Sequence, residues 1–344
     1  MKLPASDFDF EYPEELIASV PAEPRDASRL LVVRRGTGAW AHRNFRDLPE
    51  YLAPGDCVVL NRTKVFSCRL HGKKSTGGKA DLLLVKELEP GRWCALASGF
   101  RAGMKLEFEG GLHATVETTN ADGEYELTFD RPDIRAYLEK HGLPPLPPYI
   151  LKKKKAQPDA TPDAQRYQTV YAQDTGSIAA PTAGLHFTER LLTELRAKGV
   201  ITAEATLHVG RGTFRPIQAN DAALHIMLPE WYSLPAGPAE AIAAAKKAGR
   251  RVVSVGTTST RTLETLARRP EGFGPGEGWT ELYITPGFEF LAASSLITNF
   301  HLPRSTPLLL ASAFLGREKL LAAYAEAIKE RYRLYSYGDA MLIL

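Results

Sequence analysis

The residues best suited to chemistry lie in one stretch, 176–188, which holds two glycines, a proline, three hydroxyl side chains and His186. Apolar spacing predicts a helix over 189–198 with the Thr188 side chain as its N-cap. His186 therefore precedes a helix N-terminus, where free backbone N–H groups favour an anion or a neutral imidazole. Two interpretations stay open: His186 is a general acid or base, or it is a structural histidine in a tight connection.

A second candidate for ligand binding lies between a predicted strand over 251–255 and a predicted helix that ends near residue 268. Gly256 is followed there by the hydroxyl-bearing residues Thr257, Thr258 and Ser259. A strand, a glycine and a hydroxyl-rich helix start, in that order, form a cradle in which backbone N–H groups bind an anion. An ordinary N-capped helix has the same pattern, so both interpretations remain.

Further polar residues follow other predicted strands. Asn61 comes directly after a strand over 57–60, where a polar cluster is either part of a site or a plain surface loop. A strand over 201–209 carries Thr, Glu and His on one face and leads into a glycine-rich segment. The remaining candidates in and after these later strands are His208, Gly210, Gly212, Thr213, Glu230, Asn299, His301, Tyr337 and Asp339.

The elements that must position these residues fall into two groups. A length of 344 residues favours about two domains. From about residue 64 to 148, short alternating strands recur at nearly regular spacing, which predicts a small all-β barrel or sandwich. Elsewhere the pattern predicts buried strands over 30–33, 57–60, 251–255 and 295–298, strands over 166–171 and 281–285, and helices over 306–314 and 317–331.

The charge balance leaves the partner open. The chain has 43 basic and 40 acidic residues, and a net charge of +3 neither requires nor excludes nucleic acid. Four adjacent lysines, with the polar run that follows to residue 165, predict a mobile basic loop. Such a tract is either solvated or bound to an RNA backbone. These lysines are Lys152, Lys153, Lys154 and Lys155.

The cysteines and the apolar runs indicate the compartment. Cys57, Cys68 and Cys94 are odd in number and lack C-x-x-C spacing, which argues against a disulfide framework and against a structural zinc site. The chain has no apolar run of 18 residues, and its N-terminal region carries Asp7, Asp9 and Glu11 with no basic-then-apolar run. We therefore expect a cytoplasmic protein that is neither exported nor membrane-spanning.

Several long blocks of the sequence closely resemble, in the same order, the S-adenosylmethionine:tRNA ribosyltransferase-isomerase family of queuosine biosynthesis. The resemblance covers essentially the whole chain. It rests on residues 7–10, 24–26, 176–188, 206–210, 255–259, 296–303 and 337–341.

The resemblance implies a mixed α/β main domain over 1–63 and 149–344, interrupted by a small β-barrel over 64–148. It implies transfer and isomerisation of the ribosyl part of S-adenosylmethionine onto 7-aminomethyl-7-deazaguanine at the tRNA wobble position. The products would be epoxyqueuosine in tRNA, adenine and methionine. S-adenosylmethionine is then a substrate, with no metal and no permanently bound cofactor, and the enzyme is expected to be a monomer that binds tRNA.

The same resemblance suggests roles for the candidate residues. His186, His208 and His301 would carry protons, since imidazole titrates near neutrality. Glu230 and Asp339 would face the sulfonium or the ribose hydroxyls, with Trp231 or Tyr232 stacked on the cation or a base. The substrate-binding positions would be Asn61, Thr182, Gly184, Gly210, Gly212, Thr213, Gly256, Thr257, Thr258, Ser259, Asn299 and Tyr337, and the tRNA-binding ones Lys152 to Lys155 and Arg304.

Two departures from the family pattern stand out. A base, Arg62, occupies a position that is usually acidic, with Lys64 two residues on, and Leu228 replaces a histidine.

Two rival functions remain at this point. One is a methyltransferase that uses the same substrate on RNA, although no early strand leads into a dinucleotide-type glycine turn. The other is a non-catalytic RNA-binding module.

Overall fold

The computed structural model describes residues 2–119, 124–156, 162–210, 212 and 217–344. The chain divides into two compact units. The main unit comprises Met1–Lys64, Pro147–Pro162 and Arg166–Leu344, and the second comprises Val65–Leu146 and Asp163–Gln165. None of the described helices is long and apolar enough to cross a membrane.

The strands are β1 (Arg29–Val33), β2 (Trp40–Asn44), β3 (Cys57–Asn61), β4 (Thr63–Val65), β5 (Arg69–Lys74), β6 (Lys79–Glu89), β7 (Arg92–Ala97), β8 (Lys105–Phe108), β9 (Leu112–Thr119), β10 (Glu124–Phe129), β11 (Asp174–Ser177), β12 (Ile201–Leu207), β13 (Glu230–Leu234), β14 (Val252–Val255), β15 (Gly276–Thr280), β16 (Ser295–Asn299) and β17 (Ala340–Ile343). The helices are α1 (Arg135–His141), α2 (Pro148–Ala156), α3 (Asp163–Arg166), α4 (Glu189–Ala197), α5 (Ala236–Lys247), α6 (Gly256–Leu266), α7 (Thr306–Leu315) and α8 (Arg317–Lys329). Short 3₁₀ turns, among them Thr182–His186, connect them.

A nine-stranded sheet in the order β15-β13-β12-β3-β14-β16-β17-β1-β2 forms the centre of the main unit. Its four middle strands, β12, β3, β14 and β16, run parallel to one another. Every residue of β3, β14 and β16 is buried, as expected for parallel strands covered on both faces. Alternate residues of β3 enter two separate apolar cores, with Val58 in one and Val59 in the other.

The second unit contains a closed antiparallel barrel in the order β10-β7-β6-β5-β8-β9. Its strands alternate between buried and exposed residues: in β9, Leu112, Ala114 and Val116 are buried and His113 is exposed. Closure of the barrel removes the free sheet edges that would otherwise invite aggregation. The predicted fold class, mixed α/β with a small all-β barrel, is confirmed.

Local signals of the sequence decided most of these elements. Thr188 caps α4 as predicted, since its Oγ1 accepts a hydrogen bond from the Leu191 N–H at 3.1 Å. The strand predicted over 281–285 was wrong, because the edge strand β15 ends at Thr280. The strand predicted over 166–171 was also wrong, since α3 ends at Arg166 and turns and bends follow it.

The prediction of a mobile basic loop was wrong for the four lysines, which lie in α2. Lysine is a good helix former, and Pro148 begins the helix at a position where proline is tolerated. Lys153 is also fixed in place, since its Nζ donates to the Ile17 carbonyl at 2.6 Å. The rest of that predicted loop includes residues 157–161, which lie outside the described residues.

Candidate functional site

A cavity of about 440 Å³ opens in the main unit, within the usual volume range of small-molecule sites. Gly256 directly follows β14, and Asn299 is the last residue of the neighbouring strand β16. The cavity thus lies beyond the carboxyl ends of two parallel strands, the common place for ligands in α/β sheets. Its lining comes from residues 148–149, 179–183, 256–258, 298–303 and 335–336, with Tyr167, Val209, Ser305 and Pro307.

The stretch 176–188 supplies one wall of this cavity through residues 179–183, which include Thr182. Gly184 is buried in the same 3₁₀ turn and does not line the cavity. A Cβ at this glycine would lie 2.1 Å from the Tyr171 hydroxyl, so that only glycine allows the turn to pack here. Gly184 therefore shapes the wall without touching a ligand.

The start of α6 supplies a second wall. Gly256, with φ of +83°, turns the chain from β14 into the helix, and Thr257 and Thr258 line the cavity. The first N–H groups of a helix have no partner within it and carry its positive partial charge. The Thr258 Oγ1 is also buried and makes no hydrogen bond to any described residue. This wall is suited to an anion such as a carboxylate.

His301 lines the cavity and contributes a neutral imidazole. Its Nε2 lies 2.6 Å from the Thr298 Oγ1, and its backbone N–H donates to the Tyr324 hydroxyl at 2.7 Å. Burial lowers the pKa of His301 to about 3. The ring is therefore uncharged at neutral pH.

The remaining walls are aromatic and polar but uncharged. Tyr149 and Tyr335 meet edge to face with ring centroids 5.1 Å apart, and the Tyr149 hydroxyl lies 2.5 Å from the Ser336 Oγ. Burial raises the pKa of Tyr149 to about 12, so its hydroxyl stays protonated. The described residues that line the cavity include no Asp, Glu, Lys or Arg. A cation bound here would meet tyrosine rings and dipoles instead of a carboxylate.

The sequence and the fold of this chain are matched by known proteins. A family model described as "Queuosine biosynthesis protein" matches residues 5–343. The S-adenosylmethionine:tRNA ribosyltransferase-isomerase of Anaeromyxobacter sp. (strain K) is 52% identical over 347 residues, covering 98% of this chain and 99% of that protein. The enzyme of the same name from Symbiobacterium thermophilum is 49% identical, with the same coverage. The chain belongs to the queuosine biosynthesis protein family.

A solved structure agrees with this assignment. The crystal structure of S-adenosylmethionine tRNA ribosyltransferase from Thermotoga maritima matches with a TM-score of 0.57 and 38% sequence identity. The match covers 98% of this chain and 100% of that one. The resemblance to this family noted from the sequence is therefore confirmed.

The cavity of this family member brings together some of the predicted site residues. Residues far apart in the chain meet there because the turn Thr182–His186 lies beside the carboxyl ends of β14 and β16. The predicted positions that line it are Thr182, Gly256, Thr257, Thr258, Asn299 and His301.

Two of the three candidate histidines lie outside the cavity lining. His186 is buried behind Asn299, and burial lowers its pKa to about 4. His208 is half-buried, with its Nδ1 2.8 Å from the Thr63 Oγ1 and its ring stacked on Trp231 at 5.0 Å. Burial also lowers the pKa of His208. This geometry favours His301 over both as the proton carrier.

Glu230 and Asp339 are buried and bonded elsewhere, so the predicted contact with a sulfonium does not fit their geometry. Glu230 pairs with Arg261 and accepts from the Gly210 N–H at 2.9 Å. Asp339 accepts from the backbone N–H groups of Arg29 and Arg333, at 3.0 and 2.8 Å, and from the Arg333 guanidinium. Both carboxylates hold the fold together around the cavity. Trp231 and Tyr232, the suggested stacking groups, do not line it either.

The other described residues among the predicted binding positions do not line the cavity. The Asn61 carboxamide donates to the Leu207 carbonyl at 3.0 Å and accepts from the Leu207 and Thr63 N–H groups. Gly212 lies against Leu228, and the Tyr337 ring meets Tyr167 edge to face. Ser259 is buried outside the cavity lining. Thr213 lies outside the described residues.

The family departures have local explanations. The Arg62 Nε donates to the Asp174 Oδ2 at 2.8 Å, and the Thr206 hydroxyl donates to the same oxygen at 2.5 Å. The base at position 62 thus pairs with an acid on β11. Leu228 fills space beside Gly212, where a Cβ added to the glycine would meet the Leu228 Cβ at 3.4 Å.

Sequence reasoning missed the aromatic part of the cavity. Tyr149, Phe300, Tyr335 and Ser336 line it, although none was a candidate site residue. The sequence signal for these residues was weak: Phe300 lies within the block 296–303, Tyr335 and Ser336 directly precede the block 337–341, and Tyr149 follows Pro147 and Pro148. Only their convergence in space separates them from ordinary core aromatics.

Proposed function

We infer that this chain is an S-adenosylmethionine:tRNA ribosyltransferase-isomerase. It transfers and isomerises the ribosyl part of S-adenosylmethionine onto 7-aminomethyl-7-deazaguanine in tRNA and releases adenine and methionine. The observation that carries this conclusion is the match over residues 5–343, together with relatives of that name about as long as this chain. The alternatives, a methyltransferase or a non-catalytic RNA-binding module, have no comparable support.

We propose that S-adenosylmethionine binds in the cavity described above. The methionine carboxylate would accept hydrogen bonds from the backbone N–H groups at the start of α6, beside the unpaired Thr258 hydroxyl. The sulfonium would face the rings of Tyr149 and Tyr335, since cations bind over aromatic faces. These assignments replace Glu230 and Asp339, whose oxygens bond to other groups.

The chemistry needs a proton acceptor in a site shielded from water. The sulfonium makes the adjacent C5′ hydrogens acidic and also provides the leaving group. We propose that the neutral His301 imidazole takes the proton, because among the described histidines it alone lines the cavity. The apolar walls and the neutral dipoles around it keep competing water out.

The activity has a direct test. Incubation with S-adenosylmethionine and tRNA that carries the deazaguanine precursor should release adenine and methionine in equal amounts, as measured by chromatography. The same tRNA without the precursor serves as the control and should release neither. Formation of S-adenosylhomocysteine without adenine would instead identify a methyltransferase, and binding of tRNA without turnover an RNA-binding module.

We propose that α2 contacts the tRNA backbone. The helix begins at the cavity with Pro148 and Tyr149, and Lys152 and Lys155 follow on it as exposed side chains. The Lys152 ion pair with Glu14 spans 4.0 Å between side chains that are each 80% exposed, so it does not compete strongly with a phosphate. Arg304 is a weaker candidate, because its guanidinium already holds Asp9 with two distances of 2.8 Å.

Replacing Lys152 and Lys155 together by serine should weaken tRNA binding and flatten its salt dependence. Each lost phosphate contact reduces the slope of log K against log salt concentration by about 0.7 to 0.9. The measurement is tRNA binding between low and moderate salt. The pair Lys247→Ser and Lys329→Ser, at the ends of α5 and α8, makes the same charge change and should leave the slope unaltered. An unaltered slope in the α2 variant would mean that its lysines are only solvated.

A cytoplasmic, monomeric enzyme remains our expectation. Cys57, Cys68 and Cys94 are buried and form no disulfide, which suits a reducing compartment. Burial raises the pKa of the Cys57 thiol to about 12, so that it is inert as a nucleophile.

A further inference from the structure

The carboxamide of Asn299 stands between the cavity and the buried His186. Asn299 is 2% exposed, and its Nδ2 lies 3.1 Å from the Tyr335 carbonyl oxygen and 3.2 Å from the His186 Nε2. Its Oδ1 is buried and makes no hydrogen bond to any described residue. A buried acceptor left without a partner is costly unless a ligand satisfies it.

The Tyr335 carbonyl fixes which way this amide is turned. A carbonyl only accepts hydrogen bonds, so the group that faces it must be the NH₂ of Asn299. The same NH₂ faces the His186 Nε2, which must therefore be an unprotonated acceptor. The proton of the neutral ring then sits on Nδ1, which lies 2.8 Å from the Ser28 Oγ and donates to it.

The surroundings of His186 preserve this arrangement. Its ring stacks on Phe45 with centroids 5.0 Å apart, and Ser28 is 2% exposed. Among the charged groups around the ring, Asp339 favours protonation, whereas Arg333 and Arg25 oppose it. Burial is the largest of these effects and, together with the two arginines, outweighs Asp339 and keeps the imidazole neutral.

We propose that His186 is a positioning residue: held by Ser28, its neutral imidazole orients Asn299 so that the carboxamide oxygen accepts a hydrogen bond from the adenosyl group of the substrate. The donor is an O–H of the ribose or the exocyclic N–H of adenine. This inference rests on the proposed binding of S-adenosylmethionine in the cavity. A protonated ring, or no ring, would leave the NH₂ with the Tyr335 carbonyl as its one described acceptor, which would loosen the carboxamide and weaken the preference for an acceptor facing the ligand.

The first experiment compares His186→Ala with His186→Gln by measuring S-adenosylmethionine binding, kcat, KM and Tm. The alanine variant should raise Kd and KM by about tenfold, the loss expected when one buried hydrogen bond is no longer pre-organised. Glutamine can place an acceptor oxygen near the former Nε2 position, so it should restore most of the affinity. His42→Gln is the matched control, because the His42 imidazole also bonds a hydroxyl, that of Tyr332 at 2.9 Å, away from the cavity.

The outcomes separate three roles. Rescue by glutamine supports positioning. A glutamine variant as inactive as the alanine one, with unchanged substrate affinity, would make His186 a proton carrier and overturn the inference. If both variants have a lower Tm but the folded protein keeps an unaltered Kd, His186 is purely structural. That outcome would also overturn the inference. If His186→Ala does not fold, Ser28→Ala provides the same test, since it removes the group that holds the Nδ1 proton.

A second experiment identifies the donor, with adenosine, 2′-deoxyadenosine, 3′-deoxyadenosine and purine riboside as competing ligands. One analogue should bind the wild type at least several-fold more weakly than adenosine does. That penalty should vanish in Asn299→Ala for this analogue alone. Equal penalties in wild type and variant for all three would overturn the proposal. Failure of the wild type to bind S-adenosylmethionine or adenosine would instead refute the proposed function.

Discussion

Replacement of His301 by alanine should lower kcat by roughly 10²-fold or more, as loss of a general acid or base does. Binding of S-adenosylmethionine should change little, because the aromatic and α6 walls of the cavity remain. The ring contacts Thr298 and lines the cavity, so the variant removes the one described imidazole that lines the proposed binding site. The measurement is release of adenine in single turnover, with the binding constant determined separately.

The pH profile sharpens this expectation. Because burial lowers the pKa of His301 to about 3, the neutral ring persists as the pH falls from 8 to 5. The rate constant should therefore not show the fall near pH 6.5 that a histidine of ordinary pKa would cause. His42→Ala, which removes a half-buried imidazole on β2 that does not line the cavity, should leave kcat unaltered. A His301→Ala variant with wild-type turnover would return the proton-carrier role to His208 or His186.

Replacing Arg261 by methionine should destabilise the protein by about 3–5 kcal/mol, the range seen when one partner of a buried ion pair is removed. The variant leaves the Glu230 carboxylate buried without its cation. It also removes the donors that Arg261 gives to the Leu282 carbonyl at 2.9 Å and to the Thr280 carbonyl at 3.2 Å. Urea-induced unfolding of the full chain measures the loss.

A double variant tests whether the unpaired Glu230 carboxylate causes this loss of stability. Adding Glu230→Gln to Arg261→Met removes the unpaired charge while keeping an oxygen for the Gly210 N–H. Stability should then recover in part. Glu230→Gln alone should turn over at a rate close to the wild type once folded. A folded Glu230→Gln variant that has lost activity would instead mean that Glu230 acts on the substrate, as the sequence first suggested.

Much of the fold follows from local patterns in the sequence. The strands β1, β3, β14, β16 and β17 are compact apolar runs, and the barrel strands alternate between apolar and polar residues at short intervals. The N-cap at Thr188 needs only residues three positions apart. Such features depend on neighbours in the chain, so they can be read without knowing the tertiary structure.

The sequence predicted only part of the candidate site, and Asn61, Asn299 and Asp339 show why. Asn61 and Asn299 each end a buried strand, and Asp339 directly precedes one. The side-chain nitrogen and oxygen of Asn61 both form hydrogen bonds with the backbone of Leu207, 146 residues away. Asp339 accepts a hydrogen bond from the Arg29 N–H, 310 residues away. Of these three side chains, only Asn299 has an oxygen that makes no hydrogen bond to any described residue. Nothing in the local sequence distinguishes these cases.

The sequence alone thus determined the family, the two kinds of architecture and the segments from which a site is built. The tertiary structure decided which polar groups are left to bind a ligand, because that depends on partners brought together from distant segments. Tyr149 and Ser336, 187 residues apart, meet in the cavity wall. Glu230 is instead neutralised by Arg261, 31 residues along the chain. Local sequence specifies which groups can react, and long-range packing determines which of them remain unpaired.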